Sequence, residues 1–353
     1  MLGLVLLAAI VGLGLVLKAS ARAISGMLVL VWAALVIAHL PIPGFAPIGR
    51  VLGGSLAAWL GLGVLVALVL IYRKLLRAIR ARAADPEPKT VPKPGAFSEA
   101  ELDRYARHIM LREIGGPGQK KLKQAKVLVI GAGGLGSPAL LYLAAAGVGQ
   151  IGVVDDDVVS NSNLQRQVIH RDADIGMPKV FSAQKAMAAL NPHIEIRPFN
   201  RRLTAEDAEA LIAEYDLVLD GTDNFDTRYL VNAACVATGK PLISGAITQW
   251  EGQLSLYDPA RGAPCYACVF PQAPAPGLAP SCAEAGVVGA LPGVVGAMMA
   301  AEAIKEITGA GQSARGRLMI YDALWGESRQ IGVKRRADCA VCGAGHAAGD
   351  GHS

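Results

Sequence analysis

Aromatic residues are scarce in this 353-residue chain, at 5% of the total, too few for the stacking platforms on which single-stranded nucleic acids bind. Charge is scarce as well, at 18%, and none of it is acidic before Asp85. The cations ahead of that point are Lys18, Arg22, Arg50, Arg73, Lys74, Arg77, Arg80 and Arg82, which leaves 26 basic against 29 acidic residues in the remainder. The formal net charge of +5 therefore describes a basic end joined to a slightly acidic body, and gives no ground for a nucleic-acid partner. There is no internal repeat. No basic residue precedes the first apolar run, which argues against a secretory signal sequence.

What the chain has in excess is apolar residues, at 52%, with a mean hydropathy of +0.38, more than an ordinary soluble enzyme carries. The excess lies in three runs, residues 2–17, 24–40 and 51–72, of 16, 17 and 22 residues. Crossing ~30 Å of hydrocarbon takes about 20 helical residues, so the third run qualifies alone and the first two only with flanking help. A signal peptide cleaved near Ala19-Ser20-Ala21 is the rival reading of the first. Residues 24–40 and 51–72 lack the polar stripe of a helix lying on a soluble core. Two to three transmembrane helices are expected within residues 1–82. Short cationic loops stay cytoplasmic, which puts the N-terminus outside and everything after Tyr72 in the cytoplasm at the membrane face. The basic flank after residue 72 would meet anionic headgroups. Residues 83–96, with Pro86, Pro88, Pro92 and Pro94, read as a semi-rigid linker.

From about Phe97 the pattern changes. Ser98-Glu-Ala-Glu101 predicts a capping box opening a helix to about Met110. Residues 126–130 (KVLVI) read as a buried strand, 137–146 as a helix, 150–155 (QIGVVD) as a second strand, and 216–220 and 241–244 as further short strands. This alternation predicts an α/β class with a doubly wound, largely parallel, Rossmann-like sheet over residues 97–343. Residues 344–353 read as a disordered tail.

Gly131-Ala-Gly133-Gly134-Leu-Gly136 follows the first strand and opens a helix, where backbone N–H groups meet a phosphate. Asp155 ends the next strand, 19 residues after Gly136, placed for ribose hydroxyls. Alone, this is a dinucleotide fingerprint. Asn163, Arg166, Gln167 and Lys179 follow downstream, where Arg166 and Lys179 add cations that a triphosphate needs more than a pyrophosphate does, and Asp223, after the strand ending at Asp220, is a candidate magnesium ligand at the same sheet edge. Four of the six cysteines form two C-x-x-C pairs, Cys265/Cys268 and Cys339/Cys342, enough thiolates for a closed, structural zinc site. Cys282, in a stretch rich in proline and glycine, is a candidate nucleophile that would need a lowered pKa. Cys235 reads as core packing. His108, His170, His193, His346 and His352 show no ligand spacing and read as surface residues or supports behind a site.

These segments, with Arg104-Tyr-Ala-Arg107-His and Ser281-Cys282-Ala-Glu-Ala-Gly286, closely resemble the MoeB/ThiF/HesA family, bacterial relatives of ubiquitin-activating enzymes. The resemblance covers about residues 97–343. It implies a homodimeric adenylyltransferase that uses ATP and magnesium to adenylate the C-terminal Gly-Gly carboxylate of a MoaD-like or ThiS-like sulfur-carrier protein. By the same resemblance Gly131, Gly133, Gly134 and Gly136 form the phosphate loop and Asp155 holds the ribose. Asn163, Arg166 and Lys179 match phosphate-contacting positions, and Asp223 matches the magnesium ligand. Arg107 matches an arginine that reaches the neighbouring subunit's nucleotide, and Cys282 a cysteine that in ThiF-like members takes a covalent link. With no rhodanese-like segment after Cys342, a separate sulfur donor is expected. A membrane-tethered NAD-dependent oxidoreductase shares the glycine turn and Asp155 but leaves the cysteine pairs, Arg166 and Lys179 unexplained. A non-catalytic scaffold has no use for Arg107, Arg166, Lys179 and Asp223 together.

Overall fold

A computed structural model of the chain describes residues 2–17, 19–42, 46–83, 97–274 and 285–343, and divides it into two units, Met1–Val91 and Pro92–Ser353. Nearly all of the proline-rich stretch, Cys282, His346, His352 and the tail lie outside the described residues.

In the first unit four helices follow one another: α1 (Leu2–Val16), α2 (Ala21–Ala38), α3 (Ala46–Leu52) and α4 (Leu56–Ala83). The Ser20 hydroxyl caps α2 by accepting from the Ala23 N–H at 3.3 Å. The run expected to be continuous over 51–72 is broken. Gly53 and Gly54 take φ of 74° and 92°, a conformation side-chain-bearing residues avoid, and they separate α3 from α4. Residues 46–50 are helical and form the start of the short helix that ends before these glycines. Trp59 packs its ring against Gly3, where an added Cβ would sit 2.7 Å away, and donates from Nε1 to the Gly53 carbonyl at 3.2 Å. Trp32 Nε1 donates to the Trp59 carbonyl at 2.9 Å. Among the described residues one helix, over Leu56–Leu76, is long and apolar enough to cross a membrane; Leu2–Val16 and Ala23–Ala38 are shorter.

The second unit opens with α5 (Glu99–Ile109), whose capping box is complete: the Glu101 N–H donates to Ser98 Oγ at 3.3 Å and the Ser98 N–H to Glu101 Oε2 at 2.8 Å. After α6 (Gly115–Gln124) the chain alternates through β1 (Lys126–Ile130), α7 (Gly136–Ala146), β2 (Gln150–Val154), α8 (Lys179–Leu190), β3 (Glu195–Phe199), α9 (Ala205–Ala213), β4 (Leu217–Asp220), α10 (Phe225–Ala237) and β5 (Leu242–Ile247). It then continues through β6 (Glu251–Tyr257), α11 (Tyr266–Val269), α12 (Ala290–Thr308), β7 (Arg317–Asp322) and β8 (Glu327–Gly332). The eight strands form one sheet in the order β3-β2-β1-β4-β5-β6-β7-β8. The first five pair in parallel, and β6, β7 and β8 add on antiparallel.

The inner parallel strands β1, β2 and β4 are covered on both faces, which is why they read as unbroken apolar runs. Val127 and Val129 of β1 pack with Leu140 and Leu143 of α7 and Val295 and Met299 of α12. Leu128 and Ile130, pointing the other way, pack with Ile212 of α9 and Val231 of α10. This two-residue alternation puts helices on both sides and brings the C-terminal ends of β1, β2 and β4 to one edge.

Candidate active site

The turn after β1 is shaped by contact distances. Gly131 adopts φ 93° and donates its N–H to the Val154 carbonyl at 2.8 Å, tying the turn to β2. At Gly136 a Cβ would collide with the Gly131 carbonyl oxygen, so the first residue of α7 is pressed onto the strand end. Gly136 thus builds the turn without itself lining the cavity beside it. His170 lies beneath the turn and is buried, with Nε2 3.0 Å from the Ala132 carbonyl and Nδ1 2.9 Å from Ser182 Oγ. Ser182 passes the contact on to Asp174 Oδ2 at 2.9 Å. His170 is therefore a support of the glycine turn. His193 is exposed and His108 half-buried, the latter 3.2 Å from Gln119.

A cavity of about 870 Å³ opens at this edge, and Gly131, Gly133, Gly134, Asp155, Arg166, Gln167, Lys179 and Asp223 all line it. Asp155 accepts from the Ala132 N–H at 2.7 Å and the Asp157 N–H at 2.9 Å. Burial pushes its carboxyl above the ordinary 3.8, against the pull of Lys179 and those two N–H groups. A carboxylate has about four acceptor positions, so two remain for a diol. Lys179 is buried and its ammonium is 2.6 Å from Asp157 Oδ2, which holds a cation at the wall of the cavity. Arg166 is fixed through its guanidinium to the Ser162 carbonyl at 3.0 Å. Gln167 is buried, and its Oε1 has no partner.

Besides Gly136, two described sequence candidates, Asn163 and Arg107, stand apart from the lining. Asn163 accepts from the Ser160 N–H at 3.1 Å, capping the short helix before Arg166. Arg107 is exposed on α5 and does not reach this cavity from its own chain. Cys282 lies outside the described residues. Cys235 is buried in the second core cluster, and burial pushes its thiol far up, which removes it as a nucleophile.

Sequence reasoning missed an ion pair under the β4 end. Arg228 and Asp220 are both buried, 3.6 Å apart, and Arg228 also donates to Ser244 Oγ at 2.9 Å, the Gly245 carbonyl at 2.8 Å and the Thr222 carbonyl. It also missed Arg201 and Arg202, which follow β3 and join the lining. The signal available was positional, since residues just past parallel strand ends face the ligand edge.

Asp223 presents a hard oxygen to the cavity, the donor type that magnesium takes. The other acidic cluster there, Asp155, Asp156 and Asp157, already spends Asp155 on two N–H groups and Asp157 on Lys179, so Asp223 fits the ion better.

The four thiols Cys265, Cys268, Cys339 and Cys342 gather within 4.8 Å of one another and are all buried. Neighbouring Sγ atoms are 3.8, 3.6 and 3.4 Å apart. A tetrahedron of ~2.3 Å zinc–sulfur bonds has edges of about 3.8 Å, so the donor set and spacing fit zinc with no open position.

Residues 105–341 match the ThiF family. A sulfur carrier protein adenylyltransferase of Thermus thermophilus is 51% identical over 251 residues, covering 70% of this chain and 93% of that protein. A SAMP-activating enzyme E1 of Haloferax volcanii is 48% identical over 250 residues, covering 71% and 92%. Among solved structures, E. coli MccB with AMPCPP and MccA superposes with a TM-score of 0.61 at 24% identity, over 69% of this chain and 74% of that one. That last likeness concerns the fold alone.

Proposed function

Since this chain belongs to the ThiF family, we propose that it is an adenylyltransferase that activates the C-terminal glycine of a ubiquitin-like sulfur-carrier protein with ATP. The observation that carries this reading is a single cavity in which the glycine turn, Asp155, Arg166, Lys179 and Asp223 meet, in a chain whose relatives are named for that reaction. No relative named here is an oxidoreductase, and the nicotinamide alternative has no support.

Attack of a carboxylate on the α-phosphate joins two anions, so the protein must neutralise charge and align the attacking oxygen with the departing pyrophosphate. The N-terminus of α7 and the glycine turn cradle phosphate oxygens. Lys179 and Arg166 face the same anions, and Asp155 fixes the ribose. Magnesium, when bound at Asp223, screens the phosphate charge. A general base is unnecessary, because a carboxylate is ionised at neutral pH. The exposed Arg107 fits a homodimer in which it completes the partner's site. The carrier is MoaD-like or ThiS-like, serving molybdopterin or thiamine sulfur transfer, and the sulfur comes from a separate donor. The test is ATP–pyrophosphate exchange with purified carriers ending in Gly-Gly. Exchange that depends on the carrier and falls roughly 10³-fold in Asp223→Ala, with an unchanged unfolding midpoint, supports the reading; nicotinamide binding with indifference to ATP sinks it.

A second element is the first unit. Residues 56–76 span about 31 Å as helix, and the large apolar side chains from Val64 to Tyr72 stand exposed. Arg73 and Lys74 follow them directly, a charge that suits anionic headgroups. This supports a tether holding the catalytic unit at the cytoplasmic face of the membrane, with the N-terminus outside. Recovery of the full-length protein in the soluble fraction without detergent would refute it.

A further inference from the structure

The buried imidazole beneath the glycine turn does more than fill space. His170 Nε2 lies 3.0 Å from the Ala132 carbonyl, and a carbonyl oxygen can only accept, so Nε2 carries a proton and donates it. The Ser137 hydroxyl is 3.5 Å from the same oxygen, at the outer limit of a hydrogen bond, which leaves the imidazole as the main donor. The ring is held from behind. Nδ1 is 2.9 Å from Ser182 Oγ, Ser182 is 2.9 Å from Asp174 Oδ2, and the Lys185 ammonium is 2.8 Å from Asp174 Oδ1. Ser182 and Asp174 are themselves buried. A carbonyl on one side and a hydroxyl on the other fix both the rotation of the ring and its tautomer. Burial holds the imidazole below the ordinary 6.5, so at neutral pH it keeps one proton, the one on Nε2.

The consequence falls on the next peptide N–H. The bond from Ala132 to Gly133 is trans and planar, so its carbonyl and its N–H point in opposite directions. With the carbonyl turned onto His170, the Gly133 N–H is turned away from it, and Gly133 lines the cavity. The N–H groups before it are already spent, that of Gly131 on the Val154 carbonyl and that of Ala132 on Asp155 Oδ2 at 2.7 Å. Among the described residues the Gly133 N–H has no acceptor. A hydrogen bond to the carbonyl also polarises the peptide, which strengthens its N–H as a donor.

We propose that His170 is a positioning residue for the nucleotide: by donating from Nε2 to the Ala132 carbonyl it aims the Gly133 N–H at a phosphate oxygen, while Ser182 and Asp174 hold the ring in that orientation. The inference deepens the adenylation reading and rests on it for the identity of the anion. His170 touches neither the nucleotide nor the carrier and acts through the turn. Its removal is therefore felt in nucleotide binding and not in carrier binding.

The experiment uses full-length protein in detergent, with ATP affinity read by equilibrium dialysis in the absence of carrier and the carrier KM read from the exchange assay. His170→Gln places an amide N–H close to where Nε2 stands, whereas His170→Asn reaches Ser182 and falls short of the carbonyl. His170→Gln should bind ATP within about twofold of the unaltered protein and His170→Asn about tenfold more weakly, the size of one hydrogen bond to a charged acceptor, with the carrier KM within about twofold in both. In the imidazole nitrogen resonance spectrum of the unaltered protein, the His170 signals, identified by their loss in His170→Gln, should show a proton on Nε2 and none on Nδ1 at neutral pH. Equal weakening in the two variants, full ATP binding in His170→Asn, or a proton on Nδ1 in place of Nε2 overturns the proposal; should His170→Asn fail to fold, the spectrum decides alone. ATP bound without carrier-dependent exchange would remove the adenylation reading by itself, whereas a protein that does not bind ATP would overturn both.

Discussion

The two units use the same apolar alphabet in opposite arrangements. In the first unit Leu70 is 59% exposed and its neighbours on α4 are alike; in the second, Leu140 is fully buried between α7 and the sheet. Hydropathy alone cannot distinguish the two. What distinguishes them is whether the apolar residues lie all round one helix or face one another across a sheet. A helix apolar all round, followed by cations, is matched to lipid, whereas a strand apolar on both faces calls for helices above and below.

Identical substitutions should therefore have different effects in the two units. The largest contrast is at glycine. Gly136→Ala pushes a methyl group into the Gly131 carbonyl, backbone against backbone with no side chain to yield. A loss of about 4 kcal/mol or more is expected, seen as a collapsed denaturant midpoint and no nucleotide binding. Gly61→Ala, on α4 with nothing within 4 Å of the added carbon, should be neutral or stabilising by up to about 1 kcal/mol. Equal losses at the two positions would show that α4 is packed as a core helix, contrary to the tether. A smaller contrast is at leucine. Leu140→Ala should cost about 2–5 kcal/mol, and Leu70→Ala in detergent no more than about 0.5 kcal/mol, both read from unfolding midpoints.

How much of this was legible depended on burial. The strands β1, β2 and β4 were readable because two-sided burial makes them continuous apolar runs. β3 was not, because it is an edge strand carrying Glu195, Arg197 and Pro198, and proline survives only where no ladder bond is needed. β8 escaped because all six of its residues are exposed, leaving no alternation to find. The glycine turn and Asp155 were legible from fixed offsets along the chain. Arg228 was not, since what it touches is set by β4 lying beside β5, which local spacing does not show. His170 looked like a surface residue or a support because its single partner on the turn, the Ala132 carbonyl, is 38 residues away. The apolar run 51–72 misled because two glycines inside it end one helix before the next begins.

The smallest expected contrast is in acid. Glu101 is buried, and burial alone would raise its pKa, but Lys123 at 2.7 Å and the Ser98 N–H and hydroxyl outweigh it and hold the carboxyl below the ordinary 4.5. A carboxyl with a depressed folded pKa contributes stability that is present above the unfolded value and is lost as pH falls through the folded one. Lowering the pH from about 5.5 to about 3.5 should therefore weaken α5 and its attachment to α6, by an amount that Glu101→Gln diminishes. Asp155, raised by burial, changes in the opposite sense, so the difference between the unaltered protein and Glu101→Gln isolates the Glu101 share. The first unit has no carboxylate before Asp85, and the protection of amides over residues 56–76, measured against the intrinsic exchange rate at each pH, should not change across the same range. Loss of protection there in step with α5 would mean that the helices of the first unit depend on the second for their stability, and the division between a solvent-matched unit and a packed one would fail.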